Sequence, residues 1–291
     1  MIARHVSARA ERCLGYGRNM PAIPVRLTPG PRLMPGADIA PTAALMGDPA
    51  RAAMLTALLD DRALAAGELA ELAGVSPATA SEHLTRLLGG GLVTVTSQGR
   101  HRYYRLAGHR VAAAIEALSR LSPPAPVRSL RQSRQAAALA RARTCYDHLA
   151  GQAGVALLDA LLAGGVLAGG TDGLSADGTE PPAGAAPQAR QDLAVLEVTA
   201  AGEATLAAFG VNAASLRHSR RRFAGACLDW TERRPHLNGA LGAAITARLL
   251  ERGWIERGAH RRAVRVTPAG QEGLAATFGW AWPVSPAPAR Q

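Results

Sequence analysis

The chain has 291 residues, of which 48% are apolar and only 4% aromatic. That is enough for two ordinary domains with packed cores built from Ala, Leu and Val, and it excludes wholesale disorder. The net charge is +11 and every basic residue is Arg, while three cysteines, Cys13, Cys145 and Cys227, exclude a disulfide scaffold. The charge is uneven. Residues 1–37 carry +5, residues 38–121 are neutral, residues 122–143 carry +5 and residues 144–291 carry +1. Arg-rich tails and connectors are commonly just solvated, so charge alone does not point to nucleic acid. The longest apolar stretch, residues 153–170, is interrupted by Asp159 and is too short and too polar for a membrane span. No signal-peptide pattern precedes it, which leads us to expect a cytoplasmic protein with reduced thiols and no membrane partner.

Residues 1–37 are rich in Pro and Gly without an apolar period and read as a disordered tail. Met20 and Met34 offer alternative translation starts, so Cys13 is assigned no role. Asp48-Pro49 then reads as a helix cap followed by proline at the first helical position. The helix it opens has Met54, Leu55, Leu58 and Leu59 on one face. Residues 68–73 form a short helix stopped by Gly74. Ser76-Pro77 starts another, whose buried face is Ala80, Leu84, Leu87 and Leu88. Two β-rich runs, residues 92–96 and 102–106, flank a turn at Ser97-Gln98-Gly99 and form a hairpin. A last helix carries the stripe Val111, Ile115, Leu118 and Leu121 and ends at Pro123-Pro124.

Two short helices joined by a tight glycine turn, followed by a hairpin, make a winged helix-turn-helix. The segments ALMGDPAR (44–51), ELA (68–70), SPATASEHL (76–84), GLV (91–93) and GRHRYYRL (99–106) occur in the order and spacing of the ArsR family of bacterial repressors, which residues 38–122 resemble. The resemblance implies a homodimer that binds an operator in double-stranded DNA and leaves it when an inducer binds. The reading surface is expected on Ser76, Thr79, Ser81, Glu82, His83 and Arg86 of the second helix, whose short polar groups suit the major groove. Gln98, Arg100 and Arg102 of the wing suit phosphates or the minor groove. The dimer interface is expected on the stripe after the wing, with the helix near residues 39–46. The family's metal sites are not carried over. The helix before the recognition helix has no Cys, and the helix after the wing offers only His109 and Glu116.

Residues 123–143 read as a basic connector with a helix near 129–143. Residues 144–291 hold a weak duplication, with repeats at about 145–210 and 227–280. Residues 148–167 match 236–255 at eight of 20 positions, and Val198-Thr199-Ala200-Ala201-Gly202 matches Val266-Thr267-Pro268-Ala269-Gly270. Each copy is read as helix, strand, wing, strand, helix, with a mobile Gly/Pro/Asp-rich insert near residues 169–190 replacing the first wing. Each begins with Cys-x-Asp and a His: Cys145 with His148, and Cys227 with His236, both expected at helix starts. Two Cys and two His can bind a soft metal or metalloid. The same residues are also explained as small core groups and caps duplicated with the repeat. A small organic inducer between the halves, lined by Tyr146, Trp230 and Trp254, is the other reading. The signal would pass through the connector.

The expected fold is therefore mainly α with small β-hairpin wings (α+β), a winged helix followed by a domain of two winged-helix-like pseudo-repeats. The expected function is a sequence-specific DNA-binding regulator, a repressor released by an inducer in the C-terminal domain. A metal, metalloid or thiol-redox sensor using Cys145 and Cys227 is the alternative. No phosphate loop, nucleophile elbow or HExxH occurs, so no catalytic residue is assigned. A Cys145–His148–Asp147 relay or a protein-binding adaptor remain as competing classes.

Overall fold

Asp48 accepts a hydrogen bond from the Arg51 amide at 2.9 Å, and the Pro49 ring presets the first turn that follows. A second local signal of this kind is Ser76, which accepts from the Thr79 amide at 3.2 Å ahead of Pro77. In this computed structural model, which describes residues 37–123, 126–170 and 196–280, these caps open the second and fourth helices of the winged helix. Its elements are α1 (Ala40–Met46), α2 (Pro49–Ala57), β1 (Leu64–Ala65), α3 (Ala66–Ala73), α4 (Pro77–Gly89), β2 (Val93–Gln98), β3 (His101–Leu106) and α5 (His109–Leu121). Gly74, at φ 65°, ends α3 in the left-handed conformation that a Cβ would disfavour. The wing is the antiparallel β2–β3 pair. β1, a strand the sequence did not disclose, adds to the outer side of β3 through Leu64 opposite Tyr104. Met54, Leu55, Leu58, Leu69, Leu84 and Leu87 are fully enclosed and form the core.

The connector forms α6 (Leu130–Arg141), capped by Ser129. Then come β4 (Arg143–Cys145), β5 (His148–Ala150), α7 (Gly151–Ala163), β6 (Leu167–Ala168), β7 (Glu197–Val198), α8 (Ala200–Phe209) and α9 (Ala213–Arg217). The second set is β8 (Gly225–Leu228), β9 (Pro235–Asn238), α10 (Gly239–Glu251), β10 (Ile255–Arg257), β11 (Val264–Val266) and α11 (Pro268–Phe278). Each set thus opens with a β-hairpin, not with the helix expected. The spacing i, i+4, i+8, i+12 predicts helical stripes of Leu149, Ala153, Leu157 and Leu161 and of Leu237, Leu241, Ile245 and Leu249, but Leu149 and Leu237 lie on strands. The rest of each stripe packs into one shared core with Phe209, Leu274, Phe278 and Trp280. The tail before residue 37 and most of the expected insert lie outside the described residues.

The repeated Thr-x-x-Gly has a geometric cause. Thr199 and Thr267 cap α8 and α11 by accepting from Gly202 and Gly270 amides at 2.9 and 3.0 Å. A Cβ on Gly202 would stand 2.0 Å from the Val166 carbonyl oxygen, and one on Gly270 would stand 1.9 Å from that of Trp254. Only glycine lets each helix start sit on the strand behind it.

The described residues from Ala40 onward form one compact unit, and within it the repeats touch the winged helix directly. Glu116 of α5 pairs with Arg262. Arg261 lies 3.6 Å from Glu68 of α3. Tyr146, in the β4–β5 turn, packs against the winged-helix core and interacts with Asp61. The connector is therefore not the sole link between the two parts.

Candidate functional site

The pairing of the two hairpins places the four sequence-selected ligands. Cys145 lies opposite His148 across β4–β5, and Cys227 lies opposite His236 across β8–β9. Two residues separate the first pair and eight the second, but the extra residues are one further strand pair, Leu228 opposite Pro235, and a longer turn, so the two copies are equivalent in register. Their placement on strands rather than at helix starts corrects the expectation above.

The hairpins face each other. One potential ligand atom from each of Cys145, His148, Cys227 and His236 lies within 4.8 Å of all the others. The two imidazoles stack with centroids 5.2 Å apart. Glycines seat each helix on the strand before it. A Cβ on Gly154 of α7 would stand 2.4 Å from the Leu149 carbonyl oxygen, and one on Gly242 of α10 would stand 2.7 Å from that of Leu237. The other repeat's histidine Cβ lies beside each position, at 3.4 and 3.3 Å.

The Cys-x-Asp carboxylates stand behind the imidazoles. Asp147 Oδ1 is 3.2 Å from His148 Nδ1. Asp229 Oδ2 is 3.7 Å from His236 Nδ1, aligned but too long for a hydrogen bond. Each carboxylate is anchored by an arginine distant in the chain. Arg221 grips Asp147 with both terminal nitrogens. Asp229 accepts from Arg143 Nη2 at 2.8 Å, the Gly151 amide at 2.7 Å and the Thr231 amide at 2.8 Å. Sequence reading flagged the two Asp residues but missed Arg143 and Arg221, whose partners are more than 70 positions away.

Burial opposes charge on Asp147, but bonds from His148 and Arg221 hold it down to about 2. Burial likewise opposes the charged His148, and its bond to Asp147 with the nearby Cys227 raises it nonetheless. The Cys145 thiol, together with the neighbouring imidazoles of His148 and His236, draws Cys227 well below the usual thiol range, while the nearby Cys227 sulfur and burial push Cys145 up. Three imidazole nitrogens, His148 Nε2 and both nitrogens of His236, are buried without a hydrogen-bond partner.

A cavity of about 160 Å³ adjoins the cluster, lined by Cys145, His148 and Cys227 on one side and by His109, Ala112 and Glu116 of α5 on the other. Tyr146 lines it as expected. Trp254 does not: it packs on Phe209 in the core, 5.4 Å between ring centroids. Trp230 lies under the Arg143 guanidinium at 4.6 Å. His109 and Glu116, the pair noted on the helix after the wing, are thus cavity-lining groups.

On the winged helix, Ser76, Thr79, Ser81, Glu82 and Arg86 are exposed along α4, and Gln98, Arg100 and Arg102 are exposed on the wing. His83 is the exception. Its side chain is only 13% exposed, 3.3 Å from Arg51 Nη1 and 3.8 Å from Asp48. Arg51 in turn donates to the Leu45 and Ala44 carbonyls at 2.7 and 2.9 Å. His83 therefore also belongs to a joint between α1, α2 and α4.

A family model described as a helix-turn-helix domain matches residues 46–96. The chain is 42% identical over 234 residues, 80% of its length and 94% of the relative's, to YdfF of Bacillus subtilis, named an uncharacterized HTH-type transcriptional regulator. It is 40% identical over 70 residues to the HTH-type transcriptional regulator CmtR of Mycobacterium bovis, spanning 58% of that protein. Among solved structures it matches NolR of Sinorhizobium fredii, 29% identical with a TM-score of 0.27 over 30% of this chain and 85% of that one. It also matches the cadmium metal-sensor CMTR of Mycobacterium tuberculosis, 33% identical with a TM-score of 0.25 over 32% of this chain and 99% of that one. The chain belongs to the HTH-type transcriptional regulators. Among the described residues no helix is long and apolar enough to cross a membrane.

Proposed function

We propose that this regulator is a dimeric repressor that reads operator DNA with α4 and the wing, and whose DNA affinity is set by an effector held between its two C-terminal repeats. The observation that carries the reading is the exposed N-terminal half of α4 beside an exposed basic wing. Residues 76–106 carry Arg86, Arg100, Arg102 and Arg105 against Glu82 alone. Positive charge is thereby concentrated on the face that would approach phosphate. Ser81, Glu82 and Arg86 are the groups assigned to base edges. Ser76 and Thr79, bonded to each other at 2.9 Å, cap the helix and present its free amides to a phosphate. Acting on chromosomal DNA, the protein works in the cytoplasm, and no catalytic step is assigned to it.

A gel shift with DNA from upstream of its own gene tests this reading. Ser81→Ala is expected to weaken specific binding by about 1–3 kcal/mol if the hydroxyl contacts a base. Arg100→Ala should instead weaken all sequences alike and reduce the salt slope by roughly one phosphate contact. Loss of neither, with both variants folded, would favour a protein-binding winged helix.

Leu118 and Leu121 of α5 are 46% and 84% exposed, and α1 buries none of its residues. This apolar face is assigned to the two-fold dimer contact, which would place half-sites roughly 10 base pairs apart. Leu118→Glu is expected to give a monomer in sedimentation at micromolar concentration and to lose operator binding. A wild-type monomer with full operator binding would refute the assignment.

A further inference from the structure

We propose that Cys145, His148, Cys227 and His236 bind one divalent d¹⁰ cation, zinc or cadmium, in a tetrahedral two-sulfur, two-nitrogen site that clips the two C-terminal repeats together. Four donors of the right type converge from two separate hairpins within 4.8 Å. Tetrahedral bonds of about 2.3 Å to sulfur and 2.0–2.1 Å to nitrogen require donor separations of about 3.3–3.8 Å. Closing the cluster onto an ion therefore takes a small inward movement of side chains, not a refolding.

The imidazoles show what the cluster lacks. His148 is 6% and His236 1% exposed, yet the Nε2 of each has no hydrogen-bond partner. Burying imidazole nitrogens unpaired is costly. In each repeat Nδ1 is turned to the Asp of the same Cys-x-Asp motif, which leaves Nε2 as the lone-pair donor toward the cluster. A carboxylate behind a metal-binding imidazole fixes ring orientation and tautomer in this way. A cation with two thiolates and two neutral imidazoles is also electrically neutral overall, which suits a buried site.

Competing occupants leave more unexplained. A disulfide would join the two sulfurs and leave the imidazole nitrogens bare. A metalloid that needs three thiols finds only two. A soft two-sulfur, two-nitrogen tetrahedron favours zinc over the harder magnesium or calcium. The half-buried Cys227 and the adjoining cavity give the ion a path in. Tyr146 lies between the ligands Cys145 and His148 and reaches Asp61 of the winged helix. Loading can thus be felt on the DNA-binding side, a consequence that rests on the regulator reading; the site itself does not.

The test uses the full chain purified under reducing buffer. Elemental analysis is expected to find one zinc per chain. Chelation followed by cobalt addition should give the d–d absorption of a tetrahedral site with thiolate-to-cobalt charge transfer. Cys145→Ser and His236→Ala should abolish that spectrum. Asp147→Asn, which keeps all four ligands and guards against a merely unfolded variant, should lower affinity roughly 10–100-fold. A folded chain with no stoichiometric metal and no cobalt spectrum would overturn the proposal. So would a Cys145–Cys227 disulfide that persists under reductant, or undiminished binding in the ligand variants. Gel shifts with and without zinc form a separate arm. Bound metal without any DNA binding would leave the site standing and refute the regulator reading.

Discussion

Arg143→Met should destabilise the C-terminal repeats by about 3–5 kcal/mol, the range for removing one partner of a buried ion pair. At two-repeat size this corresponds to a melting temperature lower by roughly 6–20 °C. Both side chains of the Arg143–Asp229 pair are fully enclosed, with 2.8 Å between them. Without Arg143 the Asp229 carboxylate keeps only dipolar partners, among them the amides of Gly151, Thr231 and Glu232. The strand also loses a contact over Trp230. The double variant Arg143→Met, Asp229→Leu removes both charges and should recover part of the loss. Recovery should be incomplete, because Asp229 organises the β8–β9 turn and the start of α7 as well. Calorimetry on the three proteins checks this. A single variant within 1 kcal/mol of wild type would show that the pair is solvated in solution.

How much of this was legible in the sequence depended on the range of the interaction. Asp48-Pro49, Ser76-Pro77 and Gly74 act within three or four residues, so the winged helix could be read directly. The repeat could be read because Gly154 and Gly242, or Gly202 and Gly270, answer the same close approach twice. The hairpins that open each repeat could not. β4 and β5 are three residues each, and Tyr146 takes φ 61° in their turn without a Gly or Asn to mark it. His83 shows the opposite case. Its helical position is right for a reading residue, but Arg51, 32 positions earlier, holds its ring. The Cys and His pairs were visible as residues, while their convergence is a property of two hairpins facing each other, which no spacing encodes.

Arg262→Met is the second substitution from which we expect a large effect, and it tests communication as well as stability. Glu116 on α5 has a side chain only 5% exposed and Arg262 one only 10% exposed. Arg262 also donates from Nε to the Thr144 carbonyl at 3.1 Å, and its own carbonyl accepts from the Thr144 amide at 2.8 Å. One side chain therefore ties α5, the strand that carries Cys145 and the loop between β10 and β11. Removing it leaves Glu116 buried and unpaired at the edge of the cavity, again a cost of about 3–5 kcal/mol. Glu116→Gln keeps a polar partner for the guanidinium and should cost less. If the repeats set DNA affinity, the wild-type protein should differ between effector-loaded and effector-free states by roughly 5–150-fold, the usual range of coupling between sites. Both variants should bring that ratio toward one while Glu116→Gln leaves the DNA affinity of one state intact, because neither residue lies on α4 or the wing. The measurement is operator affinity with and without zinc for the three proteins at a temperature where each is folded. An unchanged ratio in Arg262→Met would place the transmission elsewhere, with the Tyr146–Asp61 contact the next route to cut.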